Sequence, residues 1–99
     1  MKLKDKVAIV TGAGRGIGEG IARAFSREGA RIVVAELIER DGRKTADRLG
    51  AAEGRAIFVS TDVTMSDSIQ SMIDTTIGTF GKLDVLVNNA GRHLPKSID

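Results

Sequence analysis

Val7-Ala8-Ile9-Val10-Thr11-Gly12-Ala13-Gly14-Arg15-Gly16-Ile17-Gly18 is the stretch that decides the fold. Val7 to Val10 is a short apolar run with β-branched residues, bounded by charged Asp5 and Lys6 on one side and glycines on the other. It reads as a buried strand. From Ile17 the period changes: Ile17, Ile21, Ala24 and Phe25 fall at i, i+4, i+7 and i+8, one face of a helix that Gly29 should end. Glycines between strand and helix let the backbone turn tightly and approach a ligand with no Cβ in the way. Unsatisfied N–H groups at the helix start, together with the positive end of its dipole, suit an anion such as a pyrophosphate. The bland alternative is a glycine-rich turn that only packs the helix on the strand.

The rest of the chain repeats the alternation. Ile32 to Ala35 is a second buried strand closed by Glu36, and a polar helix from Glu39 to Leu49 follows, with a thin stripe of Ala46 and Leu49 and with Gly42 inside it. Ala56 to Val59 is a third strand. Thr64 is expected to cap the next helix, with Asp67 three residues on, and Ile69, Met72, Ile73, Ile77 and Phe80 continue at helical spacing up to Gly81. Leu83 to Val87 is the fourth strand, leading into Asn88-Asn89-Ala90-Gly91. The order β-α-β-α-β-α-β predicts an α/β, doubly wound parallel sheet of Rossmann type, with strand order 3-2-1-4 and three right-handed crossover helices. Residues 1–99 should form a single such domain, truncated at its C-terminal end, with the fourth strand as an exposed apolar edge.

Composition narrows the chemistry. The 99 residues carry 15 Lys+Arg against 13 Asp+Glu, and 41% hydrophobic and 28% charged residues describe an ordinary small globular domain. An excess of +2 carries no nucleic-acid signal. Zero cysteines exclude a disulfide framework, a thiolate nucleophile and a zinc–thiolate site, and a single histidine removes most His-based triads and metal sites. No metal site is expected. The absence of tyrosine removes any mechanism that needs a phenol as its acid. The polar start MKLKDK and the lack of a long apolar run point to a cytoplasmic protein without a membrane partner.

Three further positions carry chemistry. Glu36 closes the second strand, where the adenosine ribose of a dinucleotide would lie. A carboxylate there accepts both ribose hydroxyls and repels a 2′-phosphate, by up to about 4 kcal/mol at ~4 Å and an effective dielectric of ~20. Its bland reading is a solvated strand end. Asp62, in Ser60-Thr61-Asp62-Val63-Thr64, is a ligand contact or an ordinary turn residue, and Asn88-Asn89 is a tie between strand ends or a polar turn.

The loop fails the common G-x-G-x-x-G fingerprint in every register but satisfies T-G-x-x-x-G-x-G through Thr11, Gly12, Gly16 and Gly18. With Asp62-Val63 and Asn88-Asn89-Ala90-Gly91 at matching places, the chain from Leu3 to Gly91 resembles the N-terminal part of a short-chain dehydrogenase/reductase. The resemblance implies an oxidoreductase transferring hydride between a nicotinamide cofactor and an alcohol or carbonyl substrate. Gly12, Arg15, Gly16, Ile17 and Gly18 then resemble the pyrophosphate loop and Glu36 the ribose acid. Asp62 and Val63 resemble adenine contacts, Asn89, Ala90 and Gly91 later cofactor contacts, and Thr11 and Asn88 braces of the sheet. A basic residue at Arg15 accompanies NADP in this family. A flexible exposed ion pair is typically worth about 1 kcal/mol or less, so the strand-held Glu36 favours NAD.

The family's catalytic serine and Tyr-x-x-x-Lys pair have no counterpart in these residues, so the 99-residue chain is expected to bind cofactor without turnover. Its parent would act on a small molecule and assemble as a homo-oligomer. Two alternatives remain open: a stand-alone nucleotide-binding module, and an S-adenosylmethionine-dependent methyltransferase fragment, for which Gly12, Gly14 and Gly16 supply G-x-G-x-G. His93, just beyond the asparagines, reads as a solvated loop residue.

Overall fold

Residues of β1 (Val7–Thr11) and β2 (Arg31–Glu36) are apolar at almost every position because both faces of these strands are covered. The structure, a computed structural model, describes residues 1–90. The remaining elements are α1 (Gly16–Arg27), α2 (Glu39–Arg48), a 3-10 turn at Ala51–Glu53, β3 (Ala56–Ser60), α3 (Ser66–Phe80) and β4 (Val85–Val87). The four strands form one parallel sheet in the order β3-β2-β1-β4, as expected from the alternation of strand and helix.

Side chains alternate across the sheet and define two cores. Ala8, Val10, Ile32 and Val34 pack with Ala22 of α1 and with Ala46 and Leu49 at the end of α2. Ile9, Val33 and Ala35 point the other way and pack with Met72 of α3, flanked by Ile69, Ile73 and Phe80. Burying a side chain such as Ile9 or Val33 stabilises by about 1.5–3 kcal/mol. The two central strands thus hold the molecule together and fix the strand ends from which the loops spring.

Three local expectations change. Helix α3 starts at Ser66 with Met65 as its cap residue, which makes no side-chain cap bond. Thr64 is instead held in a turn: its N–H and its hydroxyl both donate to Oδ1 of Asp62, at 3.0 and 2.6 Å. The short Asp side chain outcompetes the helix for these groups. The fourth strand is shorter than expected, because Asp84 binds the start of β1 instead of extending the ladder. Its carboxylate accepts the Val7 N–H at 2.9 Å, and its own N–H donates to the Val7 carbonyl at 2.9 Å. Ile17, on the apolar stripe by spacing, is 77% exposed, since the first turn of α1 overhangs the strand ends.

Among the described residues β4 pairs with β1 alone, and Leu86 on it is half exposed. No helix in the described residues is long and apolar enough to cross a membrane.

The bond from the Val7 N–H, with Lys82 3.2 Å from the same carboxylate, holds the Asp84 pKa below its ordinary value near 3.8. A depressed carboxyl pKa contributes stability that is present above the unfolded value and lost as pH falls through the folded one. Urea unfolding should therefore show stability declining below about pH 4. Asp84→Asn should flatten part of that decline, leaving the share of Asp62, whose pKa is also lowered.

Candidate nucleotide-binding cleft

All four loops at the carboxyl ends of the strands open into one cleft of about 930 Å³. Gly12, Arg15, Gly16 and Ile17 form the wall beneath α1. Glu36, Leu37 and Ile38 follow β2, Thr61 to Thr64 follow β3, and Asn89 and Ala90 follow β4. Ligands of open α/β sheets bind in this crevice.

The glycine loop is built by two different constraints. Gly16 has φ +65°, a left-handed conformation that side chains rarely adopt, and the space where its Cβ would stand is open. Gly18 is glycine for want of room: a Cβ there would run into the Gly12 carbonyl and Nδ2 of Asn89. That contact lets α1 begin directly over β1. The first turn makes its earliest bond from the Glu19 N–H to the Arg15 carbonyl at 3.4 Å, so the N–H groups of Gly16, Ile17 and Gly18 have no partner within the helix. Arg15 precedes the helix in an extended conformation with its side chain exposed on the cleft.

Glu36 is anchored at the end of β2. Its Oε1 accepts the Gly14 N–H at 2.8 Å and its Oε2 the Ile38 N–H at 3.1 Å. Each oxygen keeps a second lone-pair site. Asp62 is fixed on both sides: its N–H donates to Ser68 Oγ at 2.8 Å, while its carboxylate accepts the two Thr64 donors. Those bonds, the Thr64 hydroxyl first, pull its pKa below the usual carboxylate value. Only Oδ1 is engaged in these bonds, which leaves Oδ2 free.

Thr11 ties the sheet together where the cleft begins. Its hydroxyl lies 3.3 Å from the Val87 carbonyl and 3.2 Å from Asn88 Oδ1, and it accepts the Ala90 N–H at 3.1 Å. Asn89 lines the cleft and donates from Nδ2 to the Gly12 carbonyl at 3.3 Å, bracing the glycine loop.

The structure thus brings Gly12, Arg15, Gly16, Ile17, Glu36, Asp62, Val63, Asn89 and Ala90 to one cleft. Gly18 lies behind it as a packing residue, and Gly91 and His93 lie outside the described residues. The sequence reading missed Leu37 and Ile38, which add an exposed apolar rim after Glu36, and Ser68, which holds Asp62. Leu37 and Ile38 had a signal: two bulky apolar residues between a strand and a polar helix. The Ser68 bond had none, because it depends on how α3 meets the loop.

A parallel sheet in this order, with a glycine-rich loop opening α1 and a carboxylate at the end of β2, defines a Rossmann-type nucleotide-binding domain. Residues 6–99 match the short chain dehydrogenase family, and the chain belongs to it. It is 50% identical over 92 residues to a protein of Aspergillus oryzae described as short chain dehydrogenase/reductase astE, covering 92% of this chain and 35% of that one. It is 46% identical over 90 residues to L-fucose dehydrogenase of Oryctolagus cuniculus, covering 91% of this chain and 30% of the relative. The crystal structure of glucose dehydrogenase of Caenorhabditis elegans in its apo form superposes with a TM-score of 0.83 at 38% identity, covering 90% of this chain and 39% of that one. The chain therefore spans about a third of the length of the curated relatives it matches. The methyltransferase reading of the glycines falls with the family assignment.

The space around each glycine predicts opposite outcomes for two substitutions in α1. Gly18→Ala should cost roughly 1–3 kcal/mol by overpacking. Gly20→Ala, in the same helix with nothing within 4 Å of the added Cβ, should stabilise by about 0.5–1 kcal/mol. Urea unfolding of both variants checks the pair.

Proposed function

We propose that the cleft binds a nicotinamide dinucleotide and that the chain is the cofactor-binding part of an oxidoreductase acting on a small alcohol or carbonyl compound. The position of Glu36 carries the reading: a carboxylate at the end of β2, facing the cleft and held by two backbone N–H groups. The donor set fits the cofactor. The unpartnered N–H groups at the start of α1 suit the pyrophosphate, and the open space over Gly16 lets a phosphate approach. Glu36 suits the adenosine ribose, Oδ2 of Asp62 with the Val63 backbone the adenine, and Asn89 and Ala90 the nicotinamide side. Gly18 supports the first of these by packing, and Gly91 would continue the last.

When bound, the cofactor supplies a hydride acceptor or donor. The protein's own part is to bind, orient and discriminate. NAD is the cofactor favoured over NADP. The Glu36 carboxylate is already fixed where a 2′-phosphate would add a like charge, whereas Arg15 must be ordered from an exposed position before it helps. The proton exchange that the family assigns to a Tyr-x-x-x-Lys pair has no candidate phenol in these 99 residues. Cofactor binding is the activity proposed for these residues, and an alcohol or carbonyl substrate and a homo-oligomeric assembly for the whole protein.

Calorimetric titration tests the proposal directly. NAD should release heat and S-adenosylmethionine should not. Glu36→Ala should weaken NAD binding by roughly 10-fold, the value of a charge-assisted hydrogen bond of about 1.5 kcal/mol, and should narrow the preference over NADP. An unchanged NAD to NADP ratio would show that Glu36 does not meet the ribose. Arg15→Ala should weaken NADP more than NAD.

A further inference from the structure

Thr45 lies on α2, is 1% exposed and does not line the cleft. A buried helix threonine ordinarily returns its hydroxyl to a carbonyl one turn back. Thr76 on α3 does so, donating to the Met72 carbonyl at 2.8 Å. Thr45 instead donates across to the glycine loop, from Oγ1 to the Gly14 carbonyl at 3.2 Å. The Gly14 residue it holds is the one whose N–H reaches Oε1 of Glu36 at 2.8 Å.

Gly14 is therefore clamped at both backbone groups. Its glycine character follows from lack of space: an added Cβ would stand 2.6 Å from Oε1 of Glu36 and 2.8 Å from Cβ of Asp41. The same helix also passes close to Glu36: a Cβ on Gly42 would run first into the Phe58 ring and would lie 3.0 Å from Cβ of Glu36. One face of α2 thus sets both the loop that orients the acid and the stem of the acid.

We infer that Thr45 is a positioning residue for cofactor selectivity, acting on the Glu36 carboxylate through Gly14, whose Cα joins the peptide held by Thr45 to the peptide that bonds Glu36. This rests on the reading of Glu36 as the acid that meets the adenosine ribose. Without the Thr45 hydroxyl the Gly14 carbonyl loses its partner and the Gly14–Arg15 peptide is less restrained; through the shared Gly14 Cα the preceding peptide, whose N–H bonds Oε1, is held less firmly. Glu36 then samples other rotamers. Its bonds to ribose hydroxyls weaken and its repulsion of a 2′-phosphate is spread over more positions, so NAD binding falls while NADP binding does not. A hydroxyl that served only to hold the loop would lower both affinities together.

The test uses the full chain, titrated calorimetrically with NAD and with NADP. Thr45→Val removes the hydroxyl at nearly constant shape, Thr45→Ser retains it, and Thr45→Ala carries the measurement should valine fail to fold. Valine or alanine should narrow the NAD to NADP preference roughly 3- to 10-fold, the span of one hydrogen bond's net contribution, and serine should keep it. In a Glu36→Gln background the same Thr45 substitution should move the ratio little, because the two residues act in one chain. Equal loss of both affinities with an unchanged ratio overturns the inference, as does an equal effect of Thr45→Val with and without the Glu36 carboxylate. If Glu36→Gln alone leaves the ratio unmoved, the ribose assignment fails and this inference with it. A ratio that responds to Glu36→Gln but not to Thr45→Val sinks the Thr45 role alone.

Discussion

The close approach of Gly18 to the Gly12 carbonyl is the constraint on which the site depends. It brings the first turn of α1 against the loop after β1, so three N–H groups of the helix start point over the strand ends. The Gly12 carbonyl under that contact accepts Nδ2 of Asn89 at 3.3 Å, which ties in the end of β4. The Gly12 N–H donates to the Ala35 carbonyl of β2 at 2.8 Å. One loop residue therefore links three strands and a helix. Displacing it would disturb the start of α1, the neighbourhood of Glu36 and the β4 loop together, although these are far apart in sequence.

Much of this was legible in the residues because the decisive signals are local. Two strands buried on both faces read as unbroken apolar runs, and period changes at Ile17 and Ile69 marked helices. With crossovers right-handed, the order of strands then had few solutions. The contributors to the cleft were legible for a related reason: each sits at a strand's carboxyl end, where the topology gathers them. What escaped was the competition for hydrogen bonds. Thr64 has the residue type of a helix cap, but Asp62 two residues earlier offers a nearer acceptor. Asp84 has the spacing of a strand residue, but its carboxylate meets the start of β1, a partner 77 residues away. Thr45 has the look of a helix residue with a redundant hydroxyl until the tertiary structure sets it beside Gly14.

Exposure and anchoring separate Arg15 and Glu36, the two residues on which the proposed cofactor preference turns. Arg15 has the longer side chain and the stronger hydrogen-bonding head, yet it starts from an exposed loop and must lose rotamer freedom of about 1.5–2 kcal/mol to hold one phosphate. Glu36 has surrendered that freedom on folding, because Gly14 and Ile38 already engage both oxygens. A charge ordered beforehand acts at full strength on an arriving ligand, whereas a mobile one acts at a discount. The proposed preference for NAD thus rests on which charge the fold fixes in advance and, on the inference drawn for Thr45, on α2 and the glycine loop as much as on the acid itself. The same close packing accounts for a hydrophilic helix with so thin an apolar stripe. Its buried Thr45, Ala46 and Gly42 are small, so α2 lies close to the end of β2 and brings the Thr45 hydroxyl to 3.2 Å from the Gly14 carbonyl.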